Sequence, residues 1–294
     1  MRNGWGSRLW GCIVIRFLCL LGLLVGGSAT LWAADKPVIH WLSPNFPPVF
    51  IADGPLKRQG YGDQIVRYMS EKLPDYRHVP ATANLTRTYN QMKLHDGVCS
   101  VALFETPERA AFANFSDDVY HVMTNRVVVM NRNLHRFKPY LNAAGEVDIT
   151  RLLTASDLAV GVVPDRFYSQ LINDTLKAVG MPDNMVVIPF NRYGALLDHG
   201  RIDYTFGFPA EAYHQFSKLG KAEAFVALPI AGEARFQSGG FSCSDKPLGR
   251  KVIAEINRLI ATEEVSAVYD AFYEQWLDAR SLKDYRKLRA AMQR

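Results

Sequence analysis

The chain has 294 residues, 48% of them hydrophobic and 21% charged, which suits one large domain or two of ordinary size. With 21 Gly and 4 Cys it is neither collagen-like nor a cysteine scaffold, and its apolar content excludes a mostly disordered chain. The 34 Lys and Arg against 29 Asp and Glu give a formal net charge of +5, a bias toward nucleic acid that the placement of the charge must answer.

Much of that bias sits at the N-terminus. Arg2, Arg8 and Arg16 lead into a short apolar run from Phe17, and small residues follow to Ala33 and Ala34. This is the pattern of a secretory signal peptide over residues 1–34. The glycines and polar breaks between Phe17 and Ala34 favour cleavage over a retained membrane anchor. Cleavage takes away three arginines and no acid, so 34 against 29 becomes 31 against 29, a net +2. No basic block interleaved with aromatics remains, so no nucleic-acid partner is expected. Cys12 and Cys19 leave with the leader. Cys99 and Cys243 are then an even pair in an exported chain, which favours a disulfide over two buried thiols.

In chain order, VIHWLS (38–43) reads as a strand running into the rigid PNFPP loop. After GYGD, Ile65, Val66, Met69 and Leu73 fall at helical spacing, and Pro74 stops the helix. YRHVPA (76–81) is a second strand, Asn84 to His95 a helix, and CSVALF (99–104) a third strand. Thr106 as N-cap with Pro107 behind it opens another helix. YHVMTNRVVVMN (120–131) is one long extended run, followed by a polar stretch to Thr150. A second pattern follows: strand 158–163, a helix from about Phe167 to Val179, strand 185–190, a helix through Tyr193 and Leu197, and strand 202–208. Residues 225–230 read as another extended crossing, and 248–262 and 263–277 as two amphipathic helices. Strands alternating with helices predict an α/β architecture. Lobe 1 is expected from residues 35–122 and 231–294, and lobe 2 from 123–230, with two extended crossings between them. On that plan Cys243 shares a lobe with Cys99.

Five features carry a resemblance: the exported leader, WLSPNFPPVF, GYGDQIVRYMSEKL, FETPERAAFANFSDDVY, and the order LAVGVV, GRIDYTFGF, ALPI. Over residues 36–278 the chain resembles bacterial extracellular solute-binding proteins of family 3, which have the type II periplasmic binding fold. The resemblance implies two α/β lobes on a two-crossing hinge that close like a Venus-flytrap around a small molecule. It also implies delivery to a membrane permease of an ABC transporter or to a membrane sensor. The family arginine that follows the third strand and holds a ligand carboxylate matches Arg109. A guanidinium offers the rigid two-pronged fork that a carboxylate needs. Three positions depart from the amino-acid-binding pattern. Phe104 replaces a small hydroxyl residue, VGVVPDRFYSQ brings Arg166 and Phe167 to a threonine-containing turn, and Phe208-Pro209 stands where an acid is expected. A free α-amino acid is therefore disfavoured as ligand.

Aromatic and basic residues near predicted strand ends supply the alternative. Trp41, Phe46, Phe50, Tyr61, Phe104, Phe167, Phe190 and Phe208, with Arg87, Arg109, Arg166 and Arg192, predict an anionic, partly aromatic or planar ligand. Asp53 and Asp63 read as loop stabilisers. Ser116, Asp117, Asp118 and His121 are close in sequence but lack a nucleophile elbow. The 7 histidines fall singly, with no HExxH and no Cys–His cluster. Neither catalysis, a metal nor a cofactor is expected. The expectation is a monomeric periplasmic solute-binding protein serving a transporter. A ligand sensor for a membrane signalling protein, or an amino-acid-binding protein, is the alternative, and an exported enzyme is less favoured.

Overall fold

The computed structural model describes residues 35–155, 157–180 and 183–292, so the proposed leader and its cleavage point lie outside the described residues. The described residues from Pro37 onward form one compact unit. It is built on two five-stranded sheets and a two-stranded ribbon.

The first sheet contains β1 (Val38–Ser43), β2 (Arg77–Thr82), β3 (Val98–Ser100), β4 (Ala113–Phe115) and the late β12 (Ser242–Ser244). Their order is β2-β1-β3-β12-β4, with β1 parallel to both its neighbours and β12 antiparallel to β3 and β4. Alternation along β1 separates two faces. Ile39 and Trp41 enter the core beneath α1 (Tyr61–Lys72), α8 (Pro247–Thr262) and α9 (Val265–Glu274), where Ile65, Met69, Val252, Ile256, Tyr269 and Tyr273 meet them. Leu42 faces the other way, into a smaller cluster with Met92 of α2 (Leu85–Leu94), Val98 and Ala113. The short α3 (Pro107–Ala110) starts at Thr106, whose hydroxyl accepts the Arg109 backbone N–H. The final helix, α10 (Ala279–Met292), buries Tyr285 against the same core.

The second sheet has β6 (Arg126–Met130), β7 (Val160–Val162), β8 (Met185–Val187), β9 (Tyr204–Gly207) and β10 (Phe225–Leu228), in the order β10-β6-β9-β7-β8. Every residue of RVVVM in β6 is buried, as a strand covered on both faces requires. Leu152 and Leu153 of α4 (Ile149–Ala155) and Ile172 of α5 (Gln170–Val179) cover one face. Tyr193 and Leu197 of α6 (Tyr193–Asp198) and Phe216 of α7 (Pro209–Ser217) cover the other.

Between the sheets lies an antiparallel ribbon of β5 (Tyr120–Met123) and β11 (Phe236–Gly239), with Met123 opposite Phe236. β5 passes through Thr124 and Asn125 into β6, and β10 returns through residues 229–235 into β11. The extended run 120–131 is thus two strands, broken where the chain changes sheet. The third strand also ends earlier than expected. It stops at Ser100, whose hydroxyl accepts the Ala102 N–H and turns the chain. Helix α5 starts at Gln170 rather than near Phe167, because Ser169 caps it by accepting the Ile172 N–H. The polar stretch after β6 is a 3-10 helix, Asn131–Tyr140, which buries Phe137. Cys99 and Cys243 face one another in register on β3 and β12 and form a fully buried disulfide. Among the described residues no helix is long and apolar enough to cross a membrane.

Candidate functional site

The loop after β1 is the first component. Phe46 and Phe50 exchange both backbone hydrogen bonds, at 3.0 Å each, and close PNFPPVF into a tight hairpin. The N-terminus of α1 docks on that hairpin: Tyr61 N–H donates to the Pro48 carbonyl and Gly62 N–H to that of Val49. Gly60 is obligatory here, since a Cβ on it would overlap the Val49 carbonyl oxygen. Asp63 closes the arrangement by accepting the N–H groups of Ile51 (3.0 Å) and Gly60 (3.2 Å). Its carboxyl is raised above the ordinary aspartate range by burial, which those hydrogen bonds only partly offset. Asp63 is a loop stabiliser.

The hairpin carries Phe46 across to the second sheet. Its ring stacks on Phe190 with centroids 5.5 Å apart and meets Phe208 edge-on at 6.4 Å. Beneath this aromatic group lies Arg166, in the turn after β7. Its guanidinium is 4.9 Å from the Tyr168 ring centre and 5.7–5.9 Å from those of Phe190, Phe46 and Phe208. It also makes a two-pronged ion pair with Glu211, at 2.9 and 2.7 Å. The two side chains are 8% and 1% exposed. Burial works against the Arg166 charge, and the Glu211 carboxylate more than offsets it, so the guanidinium pKa is raised. Glu211 sits in the first turn of α7, where the helix dipole favours a negative charge.

Both crossings hold the Arg166 turn. Asn125 donates its amide N–H to the Tyr168 carbonyl at 2.7 Å. Ser169 donates its hydroxyl to Glu233 at 2.6 Å. A change in either crossing therefore reaches the cage directly.

Beside the cage lies a cavity of about 240 Å³ at the junction of the sheets. Pro47 lines it from the hairpin, and Asn191, Arg192, His214, Gln215 and Lys218 line it from the second lobe. Asn191 Oδ1 and Gln215 Nε2 are buried there without a hydrogen-bond partner. Arg192 and Lys218 form no ion pair among the described residues, so two exposed cations line one small volume. The His214 imidazole has its pKa lowered by burial and by Lys218, and its ring packs on Trp276 with centroids 5.5 Å apart.

Of the residues predicted for the site, Phe46, Arg166, Phe190 and Phe208 converge in the cage, Arg192 lines the adjoining cavity, and Phe50 is buried in the first lobe. Arg166 does not carry the free charge expected of it, because Glu211 neutralises it. Arg109 stands apart in the first lobe. It donates to the Phe104 carbonyl at 2.7 Å, lies over the Tyr89 ring, and has no carboxylate partner among the described residues. Phe104 packs edge-on against Tyr120. Trp41 and Tyr61 are core residues. Trp41 donates its indole N–H to His78, and Tyr61 packs against Tyr269 and Tyr273, its phenol pushed well up by burial. Arg87 is exposed on α2, and Phe167 is 68% exposed, outside the cage that its neighbours form. Glu211 escaped the sequence reading. Its signal was a Pro at a helix start followed by an acid in the first turn. His121 contacts Ser238 rather than Ser116, at 2.6 Å. Among the described residues no three His, Cys, Asp or Glu side chains converge on a metal-sized site.

No protein-family model matches the sequence, and no curated protein sequence matches it. Solved structures do. The second substrate-binding domain of Lactococcus lactis GlnP, in its open conformation, is 15% identical with a TM-score of 0.58, over 83% of this chain and 97% of that one. A histidine kinase sensor domain with similarity to periplasmic binding proteins is 15% identical with a TM-score of 0.54, over 83% and 96%. The L-cystine solute receptor of Neisseria gonorrhoeae, unliganded and open, is 16% identical with a TM-score of 0.53, over 81% and 94%. The likeness is one of fold: this chain shares the two-lobed α/β fold of these substrate-binding and sensor domains.

Proposed function

We propose that the protein is a monomeric periplasmic solute-binding protein that closes its two lobes around a small anionic, partly planar molecule and passes it to a membrane transporter. The observation that carries this reading is Phe46. A side chain from the first lobe lies across Phe190, Phe208 and the Arg166–Glu211 pair of the second, at the junction that opening of the lobes would expose. In this reading Phe46, Phe190 and Phe208 take the planar part of the solute. Arg109 from one lobe and Arg192 with Lys218 from the other hold its charge. Arg166 and Glu211 form the neutral polar floor between them. The hinge follows from the two crossings, each hydrogen-bonded to the Arg166 turn.

The test is native mass spectrometry of freshly purified protein, followed by small-angle scattering with the molecule it retains. Retention of a small anion, weakened by R109A and accompanied by compaction of the protein, is the expected result. Retention unaffected by R109A removes Arg109 from the charge clamp, and an unchanged radius of gyration at saturation overturns the closure. The fold likeness to a kinase sensor domain favours a second reading, in which the closed form reports to a membrane signalling protein. Uptake of the identified solute by cells lacking the gene separates the two. Lost uptake supports transport, and normal uptake with a lost transcriptional response supports sensing.

A further inference from the structure

We infer that the first lobe holds a second binding site, independent of the lobe junction, for a small carboxylate or sulfonate with a flat apolar body. A cavity of about 280 Å³ opens between α1, the edge strand β2 and the loop 50–58. Every residue that lines it falls between Trp41 and Val101, so the second lobe contributes nothing and closure is not needed to complete it.

Its walls and mouth differ in chemistry. Trp41, Phe50, Val66 and Pro80 supply an apolar interior. The polar atoms on the floor are already satisfied. The Trp41 indole N–H can only donate, so Nδ1 of His78 accepts it at 3.0 Å. That leaves Nε2–H of the neutral imidazole to donate to the Leu73 carbonyl at 2.9 Å. His78 is thereby fixed in orientation and tautomer, with its ring stacked near Trp41 at 6.3 Å. The floor is a flat aromatic surface with no unmet hydrogen bond.

Charge gathers at the mouth. Lys57, Arg58 and Arg67 line the cavity and are exposed, and none has an ion-pair partner among the described residues. The one carboxylate in the lining, Asp63, accepts the Ile51 and Gly60 N–H groups and also feels the charges of Arg58 and Arg67, so the three cations keep a net positive excess at the mouth. Arg58 adopts a left-handed backbone (φ 58°) and donates one guanidinium N–H to the Pro80 carbonyl at 3.2 Å. This straps the loop to β2 and holds the remaining N–H groups beside the opening. Three cations at the mouth of an aromatic-floored slot select a molecule with one anionic end and one flat apolar end. The volume lies at the small end of the range for ligand pockets, roughly the size of a one- or two-ring acid.

The experiment uses 2-naphthoate as probe and the Trp41 indole N–H as reporter, in a ¹⁵N–¹H spectrum assigned with W41F. A saturable shift of the Trp41 signal is expected, with the Trp276 signal unmoved. Exchanging two of the three exposed cations in K57E/R67E should weaken binding at least tenfold without affecting the fold. V66F, which fills the slot, should abolish the shift. The neutral analogue 2-naphthalenemethanol should bind at least tenfold more weakly than the acid. No Trp41 shift at millimolar probe, equal affinity for the alcohol, or unchanged affinity in K57E/R67E would each overturn the assignment.

Discussion

Removing one charge from the Arg166–Glu211 pair should cost far more than breaking a surface salt bridge. The pair is two-pronged, its side chains are 8% and 1% exposed, and Phe46 of the other lobe forms part of its roof. E211Q leaves a guanidinium with nowhere to go but an aromatic cage, and R166M leaves a carboxylate in the same position. Each should lose about 3–5 kcal/mol, lowering the thermal midpoint by roughly 6–20 °C for a unit of this size. The double variant R166M/E211M removes both charges and keeps the volume. Its loss should fall short of the summed single losses by at least about 2 kcal/mol. Equilibrium urea unfolding of the four proteins gives this cycle directly. Repeating it in 1 M salt, where the screening length is about 3 Å, should leave the coupling in place if the pair is shielded from solvent. Single losses under about 1 kcal/mol that vanish with salt are what an exposed pair gives. That outcome would refute the placement of Phe46 over the cage.

Three further outcomes follow from the same structure. Replacing Cys99 and Cys243 together by alanine opens a loop with a sequence separation of 144 and should cost about 5 kcal/mol on the chain-entropy account; alkylation of both thiols in denatured, unreduced protein would contradict the bridge. His121 and His214 both have pKa values lowered from 6.5, chiefly by burial. The unfolded chain therefore binds more protons than the native one in this window, and stability is full above about pH 6.5 and falls as the pH drops toward the lowered values. A double replacement, H121N/H214Q, should flatten that slope in unfolding curves between pH 7 and 5, and an unchanged slope would place its origin elsewhere. Finally, a Cβ at Gly249 would overlap the Ser244 carbonyl oxygen at the start of α8. G249A should lose about 1–3 kcal/mol in the same unfolding assay, and a neutral result would count against that close approach.

The two α/β patterns and the return of the chain to its first sheet were legible in the sequence because they rest on long periodic segments. Ile65, Met69, Val252 and Ile256 announce helices that need a core, and RVVVM announces a strand covered on both faces. The short pieces were not legible. β4, β11 and β12 have three or four residues each, too few to display alternation, and they exist because neighbouring strands supply their hydrogen bonds. The site shows the same division. Phe46, Arg166 and Phe208 stood out as aromatic and basic residues at strand ends. That Arg166 belongs to Glu211 depends on a contact across 45 positions that no local pattern encodes. Trp41 and Tyr61 were assigned to the lobe junction by residue type, whereas strand alternation and the α1 docking contacts bury both inside the first lobe.

The Cys99–Cys243 bridge makes a ring of the chain that contains the whole second sheet. A protease that cuts any one loop within that ring adds a water molecule and releases nothing, so a nicked molecule keeps both lobes until it is reduced. The ring also imposes an order on assembly. The first sheet lacks β12 and its helices α8 and α9 until nearly the whole chain has emerged, while the second sheet is complete by residue 228. The inserted lobe can therefore form first, and the lobe that begins the chain is locked last.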